Sequence, residues 1–331
     1  MLYIVLVNWN GEQDTIECLQ SLRDNSEPCR VLICDNCSRP ESSERIIRWV
    51  SAIYGPPTIE NCADDKVQDS LFWRALGNDS LLHVQFFQLC ENYGFAAGNN
   101  VGIRAALAEP DCDYIFLLNS DTVVSRDALR HLREKMQAET DLAVCGATLV
   151  YYDDDCHTQG LGGTIDLLRA RTGSIFRNGD VTSLPEESAV EPQIHYVIGA
   201  ALFVRASVFR RTGGLSEDYF LFFEELDLSR RLKNGERLGW CRKAVIKHKV
   251  GSAIGTNSKG RSSNVAIYYD QRSKILFYKR FHPKLIPFLL YRTLYTIAAY
   301  TKKADFTGCR LVIIATLDAL FGRMRYPSEI K

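Results

Sequence analysis

The sequence predicts an α/β fold built on a mostly parallel central sheet and closed by a basic helical extension at the C-terminus. Three observations predict it. Apolar runs of strand length recur along the chain with helix-period segments between them. Polar residues stand immediately after these runs, where an open parallel sheet receives its ligands. Basic charge collects in the last sixty residues, with twelve Lys+Arg against three Asp+Glu from Arg272 to Lys331, although the whole chain is neutral.

The elements follow in order. Leu2–Val7 is a buried strand: Met1 precedes it without a basic n-region and Asn8 stops it, so it does not read as a signal peptide. Glu12–Leu22 places Ile16, Leu19 and Leu22 at helical spacing. Further strands are expected at Arg30–Cys34, Leu82–Leu89, Tyr114–Leu118 and Ala143–Val150, with short helices at Glu44–Val50, Val101–Ala108 and Leu226–Lys233. Gly55–Asp79 and Arg169–Pro192 are polar and turn-rich and read as loops or insertions.

At 331 residues the chain exceeds the usual domain of roughly 100–200 residues. Forty Lys+Arg balance forty Asp+Glu, and 46% hydrophobic residues support a large core. These values exclude a disordered chain and a whole-chain nucleic-acid binder. Eleven Cys, many in strand or helix interiors, read as free thiols of a reducing, cytoplasmic compartment. Cys34 and Cys37 have C-x-x-C spacing, but no second pair lies at zinc-ribbon distance.

The basic extension, residues 272–331, reads as a unit apart from residues 1–271. Its apolar stretches, Leu285–Tyr291 and Leu311–Leu317, fall short of the ~20 residues that span a bilayer. Apolar helices flanked by Lys284, Arg292, Lys302, Lys303, Arg310, Arg323 and Arg325 suit a peripheral anchor at an anionic membrane face. A helical cap on the core is the competing expectation.

The candidate chemistry sits at the strand ends: Asn8-Trp9-Asn10-Gly11, Asp35-Asn36 and Asn119-Ser120-Asp121. Carboxylates there can accept from a base N–H or hold Mg²⁺ or Mn²⁺ through hard oxygen ligands. Gly94-Phe95-Ala96-Ala97-Gly98-Asn99-Asn100 opens a helix, where small residues let phosphate approach backbone N–H groups. Glu224, Glu225 and Asp227 form an acidic block after the aromatic run Phe220–Phe223, suited both to a general base in a pocket wall and to the macrodipole of a helix start.

Taken together, these blocks, with Ile198-Gly199-Ala200, Gly213-Gly214-Leu215-Ser216-Glu217 and His248, resemble the family 2 inverting glycosyltransferases of the GT-A fold, which is Rossmann-like, and especially their rhamnosyltransferase-like branch in bacterial surface polysaccharide synthesis. The resemblance runs from about Leu2 to Phe281. It implies a nucleotide-sugar half over about residues 1–122 and an acceptor half over 123–271. It implies that Asp35 reads the base, that Val7 lines the base pocket, and that Asn8, Asn10, Gly98, Asn99, Asn100 and Ser120 belong to the nucleotide-sugar site. Asp121 and His248 are then the metal ligands, for Mg²⁺ or Mn²⁺, and Glu225 is the base, with Glu224 and Asp227 in support.

Two departures qualify the match. Asn119 replaces the first Asp of an Asp-x-Asp motif, and Glu225 replaces an Asp, which adds a methylene. The Gln-x-x-Arg-Trp motif of processive members is absent, because the chain reads Ser229-Arg230-Arg231-Leu232. Transfer of a hexose or deoxyhexose from a UDP- or dTDP-sugar to a saccharide or polyprenyl-linked acceptor is therefore expected, one or a few sugars at a time. A nucleotidyltransferase and a catalytically silent sugar- or membrane-binding scaffold are the alternatives. Arg261, in the Gly/Ser-rich stretch Gly255–Ser263, is a candidate lid residue.

Overall fold

The computed structural model describes residues 1–74, 81–249 and 263–330. The strands are β1 (Leu2–Asn8), β2 (Cys29–Asp35), β3 (Thr58–Ile59), β4 (Val67–Arg74), β5 (Leu81–Leu89), β6 (Tyr114–Asn119), β7 (Thr122–Val124), β8 (Leu142–Tyr151), β9 (Thr158–Gly160), β10 (Gly163–Asp166), β11 (Arg171–Ser174), β12 (Ala201–Arg205) and β13 (Arg237–His248). The helices are α1 (Glu12–Arg23), α2 (Pro40–Tyr54), α3 (Gly94–Ala108), α4 (Ala128–Ala138), α5 (Glu187–Val190), α6 (Ala206–Thr212), α7 (Glu224–Arg230), α8 (Asn264–Phe281), α9 (Ile286–Lys302) and α10 (Phe306–Leu320).

The central sheet has the order β3-β4-β5-β2-β1-β6-β12-β8-β13-β7, with β9 on β8. Strands β5, β2, β1 and β6 run parallel, and so do β8 and β13. Strand β12 is antiparallel to both β6 and β8 and joins these two parallel sets into one mixed sheet. Its neighbours are apolar on both faces, as buried strands require. Ile4, Leu6, Ile33 and Phe116 pack against α1, α2 and α4, while Val5, Leu32, Ile115 and Leu117 pack against α3 and α6.

Register aligns the predicted polar ends: Asn8 lies opposite Asp35, and Val7 lies opposite Asn119. The five expected strands and the helices Glu12–Leu22, Glu44–Val50 and Val101–Ala108 are all present, most of them longer than expected. The helix expected at Leu226–Lys233 begins two residues earlier and ends at Arg230, ahead of the turn at Gly235, whose φ is +88°.

Both expected loops hold structure. Residues 67–74 form a strand of the central sheet, β4, antiparallel to β5, with Ser70 and Trp73 inward. Residues 163–174 form the hairpin β10–β11. Their short alternating patterns are masked by polar flanks, so composition alone misplaces them.

The charge step at Arg272 is not a structural boundary, because α8 runs through it without a break. Gln271, Arg272 and Ser273 are all buried. Helix α8 starts at a Ser263 cap whose side chain accepts from the Ala266 N–H. Among the described residues no helix is long and apolar enough to cross a membrane. Helices α9 and α10 nonetheless expose Tyr291, Leu294, Tyr295 and Leu317. All eleven cysteines are free thiols.

Candidate active site

The site is built where β1, β2 and β6 end and where β12 begins. Asn8 is fully buried and organises the first turn. Its amide donates to Asp35 Oδ2 (2.6 Å) and Ser38 Oγ (3.1 Å), and its Oδ1 accepts from the Gly11 N–H (3.2 Å) and Thr15 Oγ1 (2.9 Å). Asp35, also fully buried, accepts in addition from the Ser38 N–H (2.9 Å) and Gln88 Nε2 (3.0 Å). Two of these donors sit on Oδ1 and one on Oδ2, so the acceptor capacity left over is on Oδ2. Asn10 has φ +54° and accepts from the Arg39 N–H (2.9 Å), holding the rim beside it. Val7 is partly exposed and lies against Gly98 of α3, with Cγ1 3.2 Å from where a Gly98 side chain would begin.

The start of α3 is not an open phosphate cradle. The N–H of Tyr93 donates to Asn36 Oδ1 (3.0 Å), that of Gly94 to Asn92 Oδ1 (3.0 Å) and that of Phe95 to the Phe220 carbonyl (2.7 Å). Three N-terminal donors are thus satisfied internally. Gly94 has φ +83°, and a Cβ there would strike the Phe220 carbonyl, so the approach of these two segments requires glycine.

Asn99 and Asn100 are likewise buried and committed. Asn99 bonds the Phe95 carbonyl (2.9 Å). Asn100 bonds the Leu215 carbonyl, the Leu215 N–H and Glu217, each at 2.9 Å. They tie α3 to itself and to the segment after α6. Ser120 is partly exposed between Asn119 and Asp121.

Asp121 and His248 do meet: His248 Nε2 lies 3.2 Å from Asp121 Oδ1. The ring is oriented by Gln159, a residue the sequence reading missed. Gln159 Nε2 donates to the His248 carbonyl (2.6 Å), so its Oε1, 2.8 Å from Nδ1, must accept the Nδ1 proton. Nε2 therefore faces the carboxylate, with the Asn119 amide 3.4 Å away. A lone pair and a carboxylate oxygen converging in this way are satisfied by a second ring proton or by a cation. Among the described residues no group of three His, Cys, Asp or Glu gathers, so the protein offers two such ligands here.

The acidic block lies close by. The Asn119 N–H donates to the Ala200 carbonyl (3.0 Å), and the preceding residue, Gly199, borders the Glu225 carboxylate. Phe222 and Phe223 precede the block with φ of +66° and +72°. Each such non-glycine residue costs roughly 1–2 kcal/mol. Helix α8 offsets this cost: Ser273 Oγ donates to the Leu221 carbonyl (2.8 Å), Arg272 donates to the Asp218 carbonyl (2.8 Å), Tyr269 stacks on Phe220 and Phe277 packs on Phe223.

Glu224 Oε2 and Glu225 Oε2 are sealed from solvent without a hydrogen-bond partner. Burial pushes Glu225 up to about 7, opposed by its own backbone N–H. Glu224 is held well above the usual carboxylate range by burial and then by the charge of Glu225. Tyr196, on the segment before β12, is raised by burial and also by Glu225. A carboxyl near 7 with an unpaired oxygen is suited to taking a proton.

Asp227 has a different role. It is fully buried, 2.6 Å from Arg231 Nε and 3.0 Å from Arg280 of α8, and Tyr219 donates to it (3.3 Å). It pins α7 to α8. The Gly255–Ser263 stretch with Arg261 lies outside the described residues except for Ser263.

Comparison with known proteins gives the following likenesses. The glycosyl transferase family 2 model matches residues 74–212. The low-salt glycan biosynthesis hexosyltransferase Agl10 of Haloferax volcanii is 23% identical over 88% of this chain and 80% of its own length. The rhamnosyltransferase WbbL of Escherichia coli K12 is 26% identical over 42% of this chain and 54% of its own length. Among solved structures, the mannosyltransferase PcManGT of Pyrobaculum calidifontis, in complex with GDP-Man and Mn²⁺, superposes with a TM-score of 0.52 at 12% identity, over 99% of this chain and 77% of that one. GalNAc-T7 with UDP, GalNAc and Mn²⁺ gives 0.56 at 12% identity, over 84% and 49%. The chain has the GT-A fold and carries the glycosyl transferase family 2 match over residues 74–212, which makes it similar to hexosyltransferases of that family.

Proposed function

We propose that the chain moves one hexosyl or deoxyhexosyl unit, with inversion, from a nucleoside diphosphate sugar to a hydroxyl of a lipid-linked saccharide in surface glycan synthesis. The observation that carries this reading is the contact of Gly199 with Glu225 beside the Asn119–Ala200 hydrogen bond, which puts a carboxyl with a pKa near 7 next to the Asn119-Ser120-Asp121 turn. In a single displacement the acceptor oxygen bonds to the anomeric carbon as the bond to the diphosphate oxygen breaks. The hydroxyl proton passes to Glu225, and the electron pair leaves on the diphosphate.

The residues at Asp121 fit a hard divalent ion in donor type: one carboxylate oxygen and one oriented imidazole nitrogen, with room in the ligand count for phosphate oxygens. Asp121 and His248 would hold Mg²⁺ or Mn²⁺, which when bound offsets charge on the diphosphate. Asn8, Asn10 and Asp35 shape the base end, with Val7 and Gly98 as its wall.

The lipid-linked acceptor is supported by the exposed apolar side chains of α9 and α10 among basic residues, which suit peripheral contact with a membrane face. Absence of the processive motif supports single additions. The test is a panel of nucleotide sugars followed by thermal shift and by nucleoside diphosphate release. One donor should stabilise the chain and be slowly hydrolysed without acceptor. Neither effect with any donor overturns the reading.

A further inference from the structure

We infer that the cleft between the tip of the β10–β11 hairpin and helices α8 and α9 binds the diphosphate of a prenyl-diphosphate-linked acceptor. The cleft encloses about 550 Å³. Five cations line it, Arg169 and Arg171 from the hairpin, Lys274 from α8, and Arg292 and Lys303 from α9 and its end, against one carboxylate, Asp305. Asp305 is turned to its own helix, where Oδ1 accepts the Gly308 N–H (2.8 Å). Lys274 pairs with Asp270 (2.9 Å) and Arg169 with Asp166 (3.1 Å). Arg171, Arg292 and Lys303 have no carboxylate partner among the described residues. Three uncompensated cations converging on one concavity raise each other's energy, and a compact dianion relieves that.

Two features make the anion a lipid diphosphate on the way to the catalytic centre. First, the hairpin links cleft and centre. Its root at Gly163 pairs with Tyr196, which feels the charge of Glu225, and its tip carries Arg169 and Arg171. Four strand residues at about 3.4 Å each put root and tip about 14 Å apart, a gap that a short saccharide bridges between its reacting hydroxyl and its diphosphate. Second, Tyr295 of the cleft continues into exposed Tyr291 and Leu294, 52% and 62% accessible, where a prenyl chain would lie. This inference rests on the acceptor class proposed above.

The test uses the whole chain and calorimetric titration with farnesyl diphosphate, inorganic pyrophosphate, farnesol and phosphatidylglycerol vesicles. The variants are Arg171→Glu/Lys303→Glu and the milder Arg171→Ala/Lys303→Ala, each checked for an unchanged thermal midpoint. Farnesyl diphosphate should bind, farnesol should not, and the glutamate pair should weaken binding at least tenfold. Pyrophosphate binding as tight as farnesyl diphosphate would keep the anion site and overturn its lipid source. Diphosphate binding that neither variant moves, or no diphosphate binding, overturns the proposal. So does binding only to phosphatidylglycerol vesicles, which would make the basic surface a flat headgroup contact. These titrations need no donor: failure to turn over any nucleotide sugar would overturn the proposed transfer and leave the cleft standing.

Discussion

The Glu225 carboxylate lies 3.8 Å from the point where a side chain on Gly199 would begin. That is ordinary van der Waals distance, so one methyl fits and a branched group does not. Gly199→Ala should keep activity within a few-fold of the parent. Gly199→Val should lower kcat by more than tenfold by displacing the carboxylate. Steady-state kinetics on the two variants checks this, with thermal midpoints to confirm folding.

Glu225→Gln should reduce transfer by at least 10³-fold and leave nucleotide affinity unchanged, because it removes the proton acceptor and keeps the shape. If Glu224→Gln is the inactive variant instead, the base is its neighbour. In the parent, kcat/KM should rise with pH through about 7, where Glu225 loses its proton.

The same raised carboxyls set a stability trend of opposite sign. A carboxyl whose pKa in the folded chain exceeds its ordinary value stabilises the fold fully below about pH 4.5, and that contribution is lost as pH rises through about 7. Glu224→Gln/Glu225→Gln stays neutral throughout. Its thermal midpoint should match the parent at pH 4 and exceed it at pH 8. A lower midpoint at pH 8 would mean that the charged forms are stabilised by partners in solution.

Mn²⁺ should raise the thermal midpoint in the presence of a nucleoside diphosphate, and Asp121→Asn should abolish that rise. EDTA should stop transfer by the parent. Gln159→Leu should weaken the Mn²⁺ response without touching a ligand, since it frees the His248 ring that Gln159 orients.

Asp227→Asn should destabilise the chain by about 3 kcal/mol, because two guanidinium groups lose their buried counter-charge. Urea unfolding measures this. The molecules that stay folded should retain nucleotide binding.

Much of the candidate site at the strand ends was legible in the sequence because it is local. Asn8, Asp35 and Asn119 end apolar runs, and strand register alone brings them into line. What a motif does not encode is direction. The block ending in Asn99-Asn100 was readable as important, yet both amides turn inward, one of them to Leu215, 115 residues away. Gln159 and Tyr196 carried no signal, since their value comes from meeting His248 and Glu225 across the fold. The charge step at Arg272 does not mark a break in the chain: buried Arg272 and Ser273, inside α8, hold the loop ahead of the acidic block.

Strand β12, inserted between β6 and β8, has a consequence for how the chain is made. On the ribosome the outer edge of β6 emerges about 80 residues before the strand that covers it, roughly 4 to 16 s earlier at about 5–20 residues per second. Through that interval an apolar edge, Tyr114–Asn119, is open to pairing with other nascent chains. The strand whose arrival closes that edge also sets Gly199 in place, so the edge is covered before Glu225 and His248, made later, arrive to finish the site.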